Sequence, residues 1–199
     1  MSRSDSPPER CRSLTTEAAA FEIVGPDVLY EVVNGRVVEK PLWVRPALLA
    51  SEIARHLLLF LAEHPRGQVF LHMPYAMDPT RDLQRRPDVS FVSRERWPLK
   101  RLVPRSDAWE MVPDFVVEIV NPPTAAGDIA QKVEEYFRAG VRLVWVVYPD
   151  QQKVYVYGSP TAVRILQVGD DLDGGAALPG FRLPLADLFA AEDENEPPA

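Results

Sequence analysis

The chain is poor in the residues that several common chemistries require. It has one cysteine, Cys11, in 199 residues, which excludes an internal disulfide and a thiolate-rich metal site. Its three histidines, His56, His64 and His72, lack the paired spacing of zinc ligands. None of its 10 glycines falls in a G-x-x-x-x-G-K-[ST], G-x-G-x-x-G or G-x-S-x-G frame, so neither a phosphate-cradling loop nor a nucleophile elbow is supported. No apolar run approaches the roughly 18–20 residues that span a bilayer; Leu57 to Ala62 covers six. The opening MSRSDSPPERCRS has no apolar core, so the expectation is a cytoplasmic protein without a secretory leader and without membrane contact.

Bases are also in the minority, 22 Lys and Arg against 29 Asp and Glu, a net charge of −7. That argues against a broad electrostatic grip on nucleic acid, but the distribution is uneven. The last nine residues hold four acids (Glu192, Asp193, Glu194, Glu196) and no base, and without them the charge falls from −7 to −3. Between Arg81 and Arg105 eight bases face three acids, a local balance of +5. A basic stretch beside an acidic tail suits a phosphate-bearing ligand meeting one face; a solvated Arg-rich loop would read the same way.

What is present is a balanced 46% apolar and 26% charged composition, that of one globular core with loose ends. Residues 1–20 read as a flexible segment, 21–190 as the domain, and 191–199 as a disordered acidic tail. Asn34-Gly35 joins two β-prone runs, Tyr30–Val33 and Arg36–Glu39, as a hairpin would. Leu49, Ile53, Leu57, Phe60 and Leu61 recur at helical spacing between Pro46 and Glu63. Gln68–Met73 and Val89–Val92 read as strands, and Asp114–Val120 as a strand covered on both faces. A second helix follows Pro122-Pro123, with Thr124 or Asp128 as N-cap, a stripe of Ile129, Val133, Tyr136 and Phe137, and Gly140 to stop it. Leu143–Tyr148, Lys153–Tyr157 and Ala162–Gln167 complete a mixed α/β fold with helices packed on a sheet. Trp145 belongs to that core, whereas Trp43, Trp97 and Trp109 suit either a core or stacking on bases.

Polar residues where the pattern demands apolar ones mark the candidate site. Glu118 stands mid-strand among Phe115, Val116, Val117, Ile119 and Val120, where a carboxylate needs a proton, a partner or a cation. Asp88 precedes the Val89 strand and reads alone as a turn former. Lys132 borders the apolar stripe of the second helix, near enough along the chain to approach Glu118. Glu31 lies in the first hairpin, with Glu39 a weaker rival at its other end. An Asp, a Glu and a Lys converging on a sheet can hold a hard cation such as Mg²⁺ through oxygen and orient a water for phosphodiester hydrolysis.

The succession YEVVNGRVVEK, RRPDVSFV, VPDFVVEIVNPP, the helix with Lys132, EEYFRAGVRLVWVVYP and PGFRLPLADLF resembles the Uma2 family of bacterial proteins, restriction-endonuclease-like members of the PD-(D/E)xK nuclease superfamily. The likeness covers roughly residues 22–190. It implies a restriction-endonuclease-like core and a metal-dependent endonuclease acting on DNA, with Mg²⁺, or Mn²⁺ in its place. It maps metal binding onto Asp88, Glu118 and the carbonyl of Ile119. Val120 stands where the superfamily's usual Lys would be, and Lys132 matches a migrated lysine; Glu31 matches the family's early acid. Asn121 replaces the family's Ser, and His56 falls later than its helical His. Superfamily nucleases often pair to cut two strands, so a homodimer is compatible. The alternative is a catalytically inactive module of the same fold that binds nucleic acid or a protein partner. Less favoured is a structural homodimer whose buried acids form hydrogen-bond networks.

Overall fold

The computed structural model describes residues 28–102, 108–121 and 126–193. The expected flexible segment 1–20, residues 194–199 of the expected tail, Arg105 and the proposed cap Thr124 lie outside the described residues.

The Asn34-Gly35 pair closes a hairpin of β1 (Tyr30–Val33) and β2 (Arg36–Glu39), with Val33 opposite Arg36. Both turn residues have positive φ, 51° and 73°, the left-handed backbone that a tight two-residue turn requires. Helix α1 (Val44–Glu63) begins two residues before the expected Pro46. Proline is tolerated in a first turn because the N–H it lacks would have no partner there, so Pro46 did not mark the start. β3 (Gly67–Leu71) ends before His72, whose φ is 49°. β4 (Tyr75–Asp78) and β5 (Leu83–Arg85) follow, joined through a short 3₁₀ turn over Pro79–Arg81.

β6 (Val89–Ser93) and β7 (Phe115–Ile119) are buried throughout. Helix α2 (Ala126–Ala139) carries Asp128 inside its first turn rather than as its cap. Gly140 ends it at φ 105°, its N–H donating to the carbonyls of Tyr136 and Phe137. β8 (Leu143–Tyr148), β9 (Lys153–Ser159), β10 (Ala162–Gln167), β11 (Asp171–Asp173) and β12 (Arg182–Pro184) lead to α3 (Leu185–Asp193). The helical backbone of α3 extends through residue 193, three residues into the stretch expected to be tail.

The architecture is the expected mixed α/β one. A six-stranded sheet runs β10-β9-β8-β7-β6-β3. β7 and β8 are parallel, joined over α2, and the other neighbours are antiparallel. A smaller sheet runs β2-β1-β5-β4. β7 is thus an inner strand of the larger sheet and not an edge. Its period of two sends Phe115, Val117 and Ile119 into one core, with Leu49, Ile53 and Leu57 of α1. Val116 lies in the other core, with Ile129, Val133 and Tyr136 of α2 and Tyr75, Met77 and Leu83 of the smaller sheet. Trp145 is in the α1 core as expected. Trp97 and Trp109 are buried against each other edge to face, ring centroids 4.9 Å apart, so neither stacks on bases. Among the described residues no helix is long and apolar enough to cross a membrane.

Candidate active site

The alternation that sends Val116 toward α2 sends Glu118 there too, two residues on. The side chains singled out from the sequence meet at that point. Lys132 projects from α2 with its Nζ 3.3 Å from Glu118 Oε2 and 3.1 Å from Glu31 Oε2. Asp88 enters β6 beside β7: its N–H donates to the Val117 carbonyl (3.0 Å) and its Oδ2 accepts the Ile119 N–H (2.7 Å). Glu31, Asp88 and Glu118 retain only 4%, 5% and 4% of their exposure. Glu31, Glu118, Ile119 and Lys132 line a cavity of about 380 Å³, with the exposed Glu39 also on its wall.

Sequence reasoning missed five members: Lys40, Tyr136, Arg85 with its partner Glu135, and His72. Lys40, just past β2, places its Nζ 2.9 Å from Asp88 Oδ1, 3.2 Å from Glu118 Oε2 and 2.6 Å from the Arg86 carbonyl. Tyr136, expected only as part of an apolar stripe, donates its hydroxyl to Glu118 Oε1. Arg85 is buried between Glu31 (2.8 Å) and Glu135, which its Nε meets at 2.8 Å. His72 Nδ1 lies 3.7 Å from Asp88 Oδ1 and makes no hydrogen bond. A Lys at the end of a hairpin strand carries no signal of its own. Arg85 was hidden in a run of bases.

Among the described residues of the Arg81 to Arg105 stretch, the bases do not all face solvent. Arg85 is consumed in the buried network, and Arg86 donates to the carbonyls of Tyr30 and His72. Arg96 is held by Asp114 and by the carbonyls of Val112 and Gly140. Arg81, Arg94, Lys100 and Arg101 remain exposed, the last of these packed over the Trp97 ring. Burial of polar backbone and carboxylates at these loops demanded donors, and the arginines supply them.

The electrostatics follow from burial and partners. Burial alone would lift the Glu31 carboxyl, but Lys132, Lys40 and Arg85 hold it down at about 2. Burial is likewise overcome at Glu118, which Lys132 and Lys40 keep below the usual carboxylate range. At Asp88 burial wins, reinforced by the Glu118 charge, and its pKa is raised despite Lys40. Burial would weaken the Lys40 ammonium, yet Glu118, Asp88 and Glu31 hold it more firmly protonated than usual. Burial pushes the Tyr136 hydroxyl well up, so it serves as a donor.

The donor set fits a hard divalent cation. Asp88 Oδ1 and Glu118 Oε2 both close on one cationic atom, Lys40 Nζ, which stands in for a cation between them. Among the described residues no group of three or more His, Cys, Asp or Glu side chains is arranged around a metal position. Two carboxylates suffice for Mg²⁺, which keeps several waters or takes phosphate oxygens as its remaining ligands.

A search of curated proteins finds no match. Among solved structures, the chain is similar to one from Anabaena variabilis described as a "putative nuclease belonging to DUF820": 18% identity, TM-score 0.69, covering 89% of this chain and 98% of that one. At that identity the likeness establishes a shared fold. The family model "Uma2: Putative restriction endonuclease" matches residues 16–186, a span that takes in Glu31, Lys40, Asp88, Glu118 and Lys132, and the chain belongs to this nuclease family.

Proposed function

We propose that the protein is a metal-dependent endonuclease that hydrolyses phosphodiester bonds in DNA. The observation that carries this reading is the convergence of one oxygen each from Asp88 and Glu118 on a single cationic position, with Lys132 beside Glu118. Asp88 and Glu118 would hold Mg²⁺ or Mn²⁺, with the Ile119 carbonyl as a further oxygen ligand. A divalent ion held there supplies Lewis-acid polarisation of the phosphoryl group and a more acidic water. Lys132 orients the attacking water and offsets developing negative charge. Glu31, anchored by Arg85 and the Arg86 N–H, fixes the position of Lys132. The exposed Arg81, Arg94 and Lys100 are available to phosphates, and Trp43, 47% exposed on the cavity wall, offers a face to a base.

Calorimetric titration with Mg²⁺ and Mn²⁺ tests the acids directly. Saturable binding is expected in the wild type and none in the Asp88→Ala/Glu118→Ala double variant. Labelled DNA and RNA then test the substrate: DNA should be cut, and Lys132→Ala should keep the ion and lose the cleavage. Binding unchanged by Glu118→Ala would overturn the assignment. A wild type that binds no ion and cuts nothing would favour an inactive module of the same fold.

A further inference from the structure

Lys40 has no part in the roles just assigned, yet it makes the most central contacts of the site. Asp88 and Glu118 are each held by a neutral donor at one oxygen: Asp88 Oδ2 by the Ile119 N–H, Glu118 Oε1 by the Tyr136 hydroxyl. Their other oxygens, Asp88 Oδ1 and Glu118 Oε2, face the Lys40 Nζ at 2.9 and 3.2 Å. The acids are therefore oriented without the ammonium, and the place between their remaining oxygens is where it sits. Resting on the metal-site reading above, we propose that Lys40 is a tethered competitor for the divalent cation, occupying its place between Asp88 and Glu118 and leaving as the ion enters.

Charge balance favours an exchange over an addition. In the contact network four carboxylates (Glu31, Asp88, Glu118, Glu135) face three cations (Lys40, Lys132, Arg85). Replacing the Lys40 ammonium by a divalent ion leaves four negative charges against four positive ones. Adding the ion while Lys40 stays would leave an excess positive charge in a buried site, which is costly. The tether also permits the exchange. Lys40's backbone N–H donates to the Leu29 carbonyl (2.7 Å), which anchors the chain, and the exchange also releases the side chain's own bond to the Arg86 carbonyl (2.6 Å). Lys40 lines the same cavity as Glu39 and Asp128, both exposed acids that offer the displaced ammonium a wet partner. Lys132 is held between Glu31 and Glu118 from within a helix and does not reach Asp88 Oδ1 among its ion pairs. Metal affinity is then lowered by the fraction of molecules whose site is blocked.

Two measurements on the full chain test this. Calorimetric Mn²⁺ titration of Lys40→Met, which keeps most of the side chain's bulk and removes its charge, should show affinity raised about tenfold or more over wild type. In the wild type, amine-reactive labelling read by mass spectrometry should be slow at Lys40 in chelator and rise severalfold at saturating Mn²⁺, with Lys132 unchanged; this needs no variant to fold. Lys40→Met binding Mn²⁺ no more tightly than a wild type that binds, or Lys40 labelling indifferent to Mn²⁺, overturns the competitor role and leaves the metal site standing. If neither protein binds Mn²⁺, the metal reading fails and the competitor with it.

Discussion

The two faces of the large sheet are built on the same strands and solve different problems. On the α1 side, Phe115, Val117 and Ile119 of β7 meet Leu49, Ile53 and Leu57 in a core of apolar side chains. On the α2 side, Val116 of the same strand lies in a second apolar core, but two residues on stands Glu118, and around it a buried ionic network. The first face is satisfied by volume alone. The second needs each oxygen matched to a donor, because a carboxylate without partners would lose its hydration uncompensated. The lesson is that covering a charged site with a helix fixes its geometry: desolvation makes every contact stronger, and an error in any one of them dearer.

The largest expected effect breaks that matching. Arg85→Ala removes the common partner of Glu31 and Glu135 and leaves both carboxylates buried, at a cost of about 3–5 kcal/mol. Its counterpart on the apolar face, Leu57→Ala, creates a cavity and should cost roughly 2–4 kcal/mol. Denaturant unfolding compares the two, and Mn²⁺ titration separates them: the Leu57 variant should bind like wild type, whereas the Arg85 variant, with Glu31 released toward Lys132, should bind more weakly. A smaller loss at Arg85 than at Leu57 would mean that the charged face is not the more exacting one.

Acid sharpens the same contrast, with an effect on the order of 3 kcal/mol. The Glu31 carboxyl is depressed from 4.5 to about 2. A carboxyl with a lowered folded-state pKa gives stability that is fully present above its unfolded value and lost as pH falls through the folded one. The loss should therefore develop between pH 4.5 and 2. Glu118, also lowered, adds in the same sense, and Asp88, which is raised, works against both. Urea unfolding across that window should show a shallower decline in Glu31→Gln than in the wild type. Parallel declines would show that Glu31 contributes nothing to the acid limb.

How much of this could be read beforehand differs by element. β7 and Glu118 were legible because a covered strand has a strict pattern and one charge interrupts it. Lys132 was legible through a short connection, which keeps the next helix over the strand just left. Lys40 was not, since polar residues on a hairpin are ordinary and its partners lie 48 and 78 positions away. β4 and β5 were missed because they are four and three residues long, too short for alternation to show among Pro, Asp and Arg. The basic stretch misled for a related reason: composition counts charges but does not say which of them face inward.

Tyr136 lies on the border between the two kinds of packing, and its variant should have the smallest effect. Its ring belongs to the apolar stripe of α2 with Ile129 and Val133, while its hydroxyl donates to Glu118 Oε1. Tyr136→Phe keeps the ring and removes the donor, leaving a buried carboxylate oxygen short of one hydrogen bond at a cost of about 1–3 kcal/mol. Without that donor Glu118 holds a proton more readily and is free to turn, so Mn²⁺ affinity should fall severalfold and fall further on mild acidification. Val133→Ala, on the same stripe, should lower stability and leave the Mn²⁺ isotherm as it is. Equal metal affinity in Tyr136→Phe and wild type would show that Glu118 is oriented by the lysines alone. The neutral hydroxyl would then be packing and nothing more.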